Sequence, residues 1–204
     1  MNFPQNISRR ALAKGSAWAA PIVIASTAVP VYAASPVPTL ASSTAFSFAS
    51  ASGGSVSPYT CNGKAQIQIQ QASATSFLTV SNIPSTTKLS NLAGHYWLPV
   101  QSGTTFTRIS GTSSCWSVPT ATGATTTYNG VIFREYISTY GCAITVTSTQ
   151  WTQPASSNFN FVSSCQSGAT LTSQSYHYTQ NITSTSASGQ STILSKNNGW
   201  NYKM

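Results

Sequence analysis

Chemistry in this chain has to be built from very few residues. Glu135 is the only acid, His95 and His177 are the only histidines, and four cysteines complete the set. A glycosidase of the usual kind flanks the scissile bond with two carboxyl groups, and an aspartic protease shares one proton between two, so a single acid excludes both. Calcium sites made of side-chain carboxylates fail for the same reason. A serine-hydrolase triad would have to join Glu135 to His95 or His177 and to one of many serines, and no Gly-x-Ser-x-Gly elbow singles one out. Cys61, in the turn-like stretch Thr60-Cys61-Asn62-Gly63, is a nucleophile only if it is not bonded to another cysteine. The histidines lie among aromatics, in Gly94-His95-Tyr96-Trp97 and Tyr176-His177-Tyr178, without the acidic partners that orient metal-bound imidazoles. The expectation is therefore no catalytic residue, no metal and no cofactor. A hydrolase using Cys61 or a serine with histidine is the competing reading.

Binding chemistry has better raw material. Trp97, Trp151 and Trp200 are candidate contact residues, because exposed indole faces stack on sugar rings and anchor interfaces. Trp116 and Trp151 each follow a cysteine or end a strand, and at least one of them is expected in the core against a disulfide. Glu135 sits in Val131-Ile132-Phe133-Arg134-Glu135-Tyr136-Ile137, where alternation puts Val131, Phe133, Glu135 and Ile137 on one face and Ile132, Arg134 and Tyr136 on the other. An edge strand with Glu135 facing water is the favoured reading. The sharper one has Glu135 promoting an isopeptide bond from Lys64, Lys88 or Lys196 to an asparagine, as in some Gram-positive surface domains.

The elements that must position these side chains are strands. Ala65-Gln66-Ile67-Gln68-Ile69-Gln70 alternates apolar and amide residues, so one face is buried and the other wet. Comparable runs cover 77–80, 95–100, 104–109, 131–137, 142–149, 159–162, 169–179 and 191–194, each bounded by Gly, Pro, Asn or Ser. Beyond the first thirty-odd residues no segment holds a helical period. Many short strands at this spacing predict an all-β antiparallel sandwich, immunoglobulin-like, with a jelly roll or closed barrel as the alternative. Hydrophobic residues at 40% and aromatics at 11% separate this from a mucin-like stalk, although Ser and Thr are nearly a third of the chain.

The chain opens with Ser8-Arg9-Arg10-Ala11-Leu12-Ala13-Lys14, followed by an Ala-rich apolar stretch from Gly15 to Val29 and by Val31-Tyr32-Ala33-Ala34. Ser8, Arg9, Arg10, Leu12 and Lys14 resemble the bacterial twin-arginine signal, and the whole stretch resembles the leaders of exported actinobacterial surface proteins. The resemblance implies a signal-peptide helix over 1–33, export by the twin-arginine translocase, and cleavage by signal peptidase between Ala33 and Ala34. The apolar stretch is shorter than the roughly 20 residues a bilayer core requires and contains Pro21. Membrane attachment is expected only if the leader stays uncleaved. Residues 34–44, with Pro36 and Pro38, read as a flexible linker and 45–204 as one domain.

In an exported chain, four cysteines read as two disulfides. The segment from Cys142 to Cys165 can fold about Gln153-Pro154-Ala155-Ser156 and bring its ends level, which favours Cys142 with Cys165 and leaves Cys61 with Cys115. Nine basic residues, less Arg9, Arg10 and Lys14 of the leader, leave six against one acid, a net charge of +5. These six are scattered singly, with no stripe to track a phosphate backbone, so nucleic acid is not an expected partner. The expectation is a secreted or cell-surface β-sandwich that acts without catalysis in structure, adhesion or binding, with a cell-wall glycan or a host surface ligand as partner.

Overall fold

The computed structural model describes residues 37–42, 46–47, 66–71, 78–109, 112–166, 175–197 and 202–203. They belong to a unit spanning Pro36–Met204. In chain order the strands are β1 (Thr39–Ser42), β2 (Phe46–Ser47), β3 (Gln68–Gln71), β4 (Leu78–Ser81), β5 (Lys88–Leu98), β6 (Phe106–Arg108), β7 (Thr120–Tyr128), β8 (Val131–Thr139), β9 (Gln150–Thr152), β10 (Asn160–Ser163), β11 (Ser175–Thr185), β12 (Ser191–Asn197) and β13 (Tyr202–Lys203). They form three antiparallel sheets: β1-β4-β9, β2-β3-β10-β6, and the large sheet β12-β11-β5-β8-β7, with β13 also on β11. No sheet closes on itself among the described residues, so the fold is an antiparallel β-sandwich rather than a barrel.

One apolar cluster draws on all three sheets: Leu78, Val80 and Trp151 from the first, Ile69, Phe106 and Phe161 from the second, Tyr96, Tyr136, Tyr178 and Ile182 from the large one. Aliphatic and aromatic residues alternating with Thr, Ser and Gln give each strand one face for this cluster, and removing that area from water is the main stabilising term. Leu78-Thr79-Val80-Ser81 shows the pattern at its simplest, with its two aliphatic side chains fully buried and the hydroxyl residues between them partly open.

Two irregularities shape the large sheet. Ala93 pairs with Asn181 and Ser90 with Thr183, so Asn91 and Leu92 together oppose Ile182. Asn91 takes the left-handed conformation that such a bulge requires (φ 52°), which asparagine tolerates better than most residues. On the far side Ala121 pairs with Tyr136 and Thr125 with Arg134, which leaves Thr122, Gly123 and Ala124 opposite Glu135 alone. Gly123 carries that excursion at φ 87°, a backbone conformation open to glycine. The β7-β8 connection is the two-residue turn Asn129-Gly130, both at positive φ, which matches the twist of a hairpin.

Several sequence expectations need correction. Thr39–Ser42, placed in the 34–44 linker, is a strand, with Leu40 opposite Val80. Residues 142–149 form no strand; Ile144 and Val146 pack on the core, but among the described residues no neighbouring strand supplies a ladder. Glu135 does not lie on an edge strand, since β8 runs between β5 and β7. The favoured disulfide pairing also fails, because Cys115 is bonded to Cys142. After Cys142 the chain leaves the large sheet, enters the first sheet as β9 and then the second as β10, so 142–165 is not a hairpin and its ends are not level. Instead the 115–117 segment lies along the end of β8. Ser117 N–H donates to Thr139 O (2.8 Å), Trp116 bridges Tyr140, and Gly141 N–H donates to Cys115 O (2.7 Å). The bond therefore clamps the open end of the β7-β8 hairpin. Cys165 is also disulfide-bonded, to a partner outside the described residues, where Cys61 lies too.

Candidate functional site: the outer face of the large sheet

Alternation along β11, β5 and β8 sorts their residues into two sets. On the inner face Tyr178, Tyr96 and Tyr136 stand in one cross-strand row, with Gln180, Gly94 and Ser138 in the next. All six are buried. Tyr96 stacks on Tyr178 at 5.1 Å, and the Tyr136 hydroxyl donates to Thr104 O (3.1 Å). Gly94 is required there, because a Cβ would sit 2.8 Å from the Tyr96 hydroxyl oxygen and 3.3 Å from Tyr178 Cε2. Burial raises the pKa values of Tyr96, Tyr178 and Tyr136 above the ordinary phenol value, with hydrogen bonds opposing the effect in part.

The outer face carries the scarce residues. His177, Trp97 and Glu135 form one row across the three strands, and Thr179, His95 and Ile137 the next. His95 Nδ1 lies 2.9 Å from Glu135 Oε1, with the two side chains 25% and 17% exposed. A carboxylate can only accept, so Nδ1 carries the proton and Nε2 is the ring's acceptor when the imidazole is neutral. Thr122 donates its hydroxyl to the other carboxylate oxygen (2.7 Å) and accepts the N–H of Ala124 (3.2 Å). The bulge thus places a hydroxyl where β7 would otherwise have run past Glu135. His177 Nε2 meets Asn197 Oδ1 at 2.6 Å, across to β12. Trp97, half-buried, stands between the two polar groups of its row.

This arrangement resolves the roles of most candidates. Both oxygens of Glu135 are engaged by His95 and Thr122, and among the described residues neither Lys88 nor Lys196 is bonded to it; Lys64 lies outside them. Glu135 orients His95 as the acid of a triad orients its histidine, yet no hydroxyl or thiol of the described residues bonds Nε2. No group of three or more His, Cys or carboxylate side chains among the described residues is placed to hold a metal.

The tryptophans divide. Trp151, expected as a contact residue, is 6% exposed and part of the core, opposite Val80 and 6.3 Å from the ring of Tyr140, so it is removed from the binding set. Trp116 is fully buried beside the Cys115–Cys142 bond, between Tyr140 and Phe159. Trp200 lies outside the described residues, as do Ser8, Arg9, Arg10, Leu12, Lys14, Ala33 and Ala34 of the leader. Among the described residues Trp97 is the candidate that stands on an accessible face. Arg108 is structural: its guanidinium donates to the carbonyls of Ser113 and Trp116 and lies over the Phe161 ring.

Thr122 was missed from sequence because Thr120–Tyr128 contains little that is apolar. The Asn129-Gly130 pair before Val131–Ile137 is a strong hairpin signal and would have placed β7 beside Glu135. Fold and face together define a disulfide-bonded antiparallel β-sandwich with a polar, aromatic-centred outer sheet surface. No protein-family model matches the chain, and no curated protein or solved structure matches it either.

Proposed function

We propose that this protein is an exported binding module, acting without catalysis at the cell surface or in the medium, and that the outer face of β11-β5-β8 is its contact surface for saccharide. The observation that carries this reading is the row His177-Trp97-Glu135: an accessible indole flanked by hydrogen-bonding groups whose positions are fixed by Asn197, His95 and Thr122. An aromatic face between rigid polar groups suits a sugar ring, which offers C–H surfaces to the indole and hydroxyls to its neighbours. Export is supported by the twin-arginine-like leader and fits the disulfide at Cys115 and Cys142. Among the described residues no helix is long and apolar enough to cross a membrane. Cell-wall glycan is the expected ligand, with the translocase and signal peptidase as transient partners.

The test is binding of purified protein to insoluble cell wall and to a neutral glycan panel, beside a Trp97→Ala variant shown to be folded. Binding that the variant loses by about tenfold or more supports the reading. Equal binding by both proteins, or none by either, overturns it.

A second reading, an envelope hydrolase, rests on one observation, the carboxylate-held imidazole of His95. Hydrolysis of cell wall that disappears in His95→Gln while glycan binding persists would select it.

A further inference from the structure

The three-against-one bulge in β7 also opens a cleft. Between the bulge and the turn at Ser102-Gly103 lies an open space of ≈ 200 Å³, bordered by Gly123, Thr125, Arg134, Glu135 and Tyr136. Its walls are bare because Gly103 (φ 78°) and Gly123 (φ 87°) hold conformations that exclude most side chains, and nothing lies within 4 Å of where their Cβ atoms would be. Thr125 is the register partner of Arg134 and shares its face of the sheet.

Arg134 is held and left unfinished. Its Nε–H donates to Val100 O (3.2 Å), which fixes the plane of the guanidinium, and its terminal nitrogens make no hydrogen bond among the described residues. Arg108 offers the contrast, with two carbonyls and an aromatic ring filling its needs. Glu135, the one acid of the chain, also borders the cleft, but both of its oxygens are turned to His95 and Thr122 and it makes no hydrogen bond to Arg134. A guanidinium whose terminal nitrogens make no hydrogen bond among the described residues, in a space lined by small and hydroxyl residues with the Glu135 carboxylate bonded elsewhere, matches a planar oxyanion. The volume is below the roughly 300 Å³ at which drug-sized pockets begin, so it fits one functional group and the ring that carries it.

We propose that this cleft is an anion subsite, in which Arg134 receives the carboxylate of an acidic saccharide and Thr125 and Ser102 face its hydroxyls. The saccharide half of this assignment rests on the binding-module reading; the oxyanion half does not. Acidic oligosaccharide then binds more tightly than a neutral one of equal length, and the difference shrinks with salt.

The experiment compares oligoglucuronate with a neutral glucose oligomer of the same length, at low and at physiological salt, in the wild-type protein and in Ser102→Glu, Arg134→Gln and Trp97→Ala. Ser102 is exposed in its turn, so Ser102→Glu brings a carboxylate to the mouth of the cleft without disturbing the Val100 bond. The expected result is a preference for oligoglucuronate of about tenfold or more, erased by Ser102→Glu and Arg134→Gln. Trp97 stands on the opposite face of the sheet from Arg134 and makes a separate contact, so in Trp97→Ala the affinity for both oligomers falls while the preference survives. Equal affinity of the wild type for the two oligomers overturns the subsite, as does an unchanged preference in folded Ser102→Glu. Free glucuronate is followed in parallel by the NMR signal of Arg134 Nε–H. A shift of that signal when neither oligomer binds supports the oxyanion site and overturns the saccharide reading on its own. A carboxyl-terminal dipeptide that displaces glucuronate equally well overturns the saccharide assignment.

Discussion

The two faces of β11-β5-β8 are built from alternate residues of the same three strands, yet they answer to different physics. Inside, the row Tyr178-Tyr96-Tyr136 is closed over by the sandwich and makes its neighbour Gly94 indispensable. Outside, one residue further along each strand, His177-Trp97-Glu135 is held by hydrogen bonds to Asn197, His95 and Thr122 and stays reachable. The inner row is fixed by packing and has little freedom to vary. The outer row is fixed by polar contacts that contribute little stability, which leaves it free to serve recognition.

The largest effect expected from this contrast separates two adjacent residues. Tyr96→Ala empties a fully buried site and costs about 3–5 kcal/mol of stability, whereas Trp97→Ala costs no more than about 2 kcal/mol and acts on binding instead. Denaturant titration of both variants checks the difference, and comparable losses would erase it. Next in size is Gly94→Ala, expected to destabilise by about 1–3 kcal/mol through the clash with Tyr96 and Tyr178. The same substitution made in a Tyr96→Phe background costs measurably less, because the nearest colliding atom is gone.

A third prediction concerns alkali. The inner tyrosines hold their protons in the fold at pH values where an unfolded chain, with phenols near pKa ~10, releases them. Since the folded state binds more protons there, stability is full below about pH 10 and falls as pH rises beyond it. Tyrosinate absorbance from these residues should appear together with unfolding rather than ahead of it, and Tyr178→Phe should move the transition to higher pH. The smallest effect belongs to the outer face: Glu135→Gln is expected to change stability by no more than about 1 kcal/mol, since the pair keeps contact with water and the amide oxygen can still accept a hydrogen bond. A loss as large as that of Tyr96→Ala would show that the outer row is structural after all.

Much of the sandwich was legible because burial writes itself into alternation. Ile67 and Ile69, Leu78 and Val80, Tyr96 and Leu98 all sit where a period of two puts them. The same signal misled at 142–149, where Ile144 and Val146 do face the core but the backbone has no partner strand among the described residues. Alternation reports burial; it does not report pairing. Strand β7 escaped notice for the opposite reason, having pairing without burial. The meeting of His95 with Glu135 depends on strand order across 40 residues of chain, and the Cys115–Cys142 bond on where the chain leaves the sheet after Cys142; neither is local information.

The excursion at Thr122, Gly123 and Ala124 also bears on how this sheet would meet a second copy of the chain. Among the described residues strand β7 is the last strand on one side of the large sheet, and it carries no charged residue along Thr120–Tyr128, in a chain where charged residues are only 5% of the total. A straight, uncharged outermost strand would be an open template on which a second molecule could continue the ladder. With three residues set against one, its row of outward N–H and C=O groups falls out of step midway, and an incoming strand could satisfy one half or the other but not both. An irregular backbone guards that edge in the way that lysines guard the edges of other sheets.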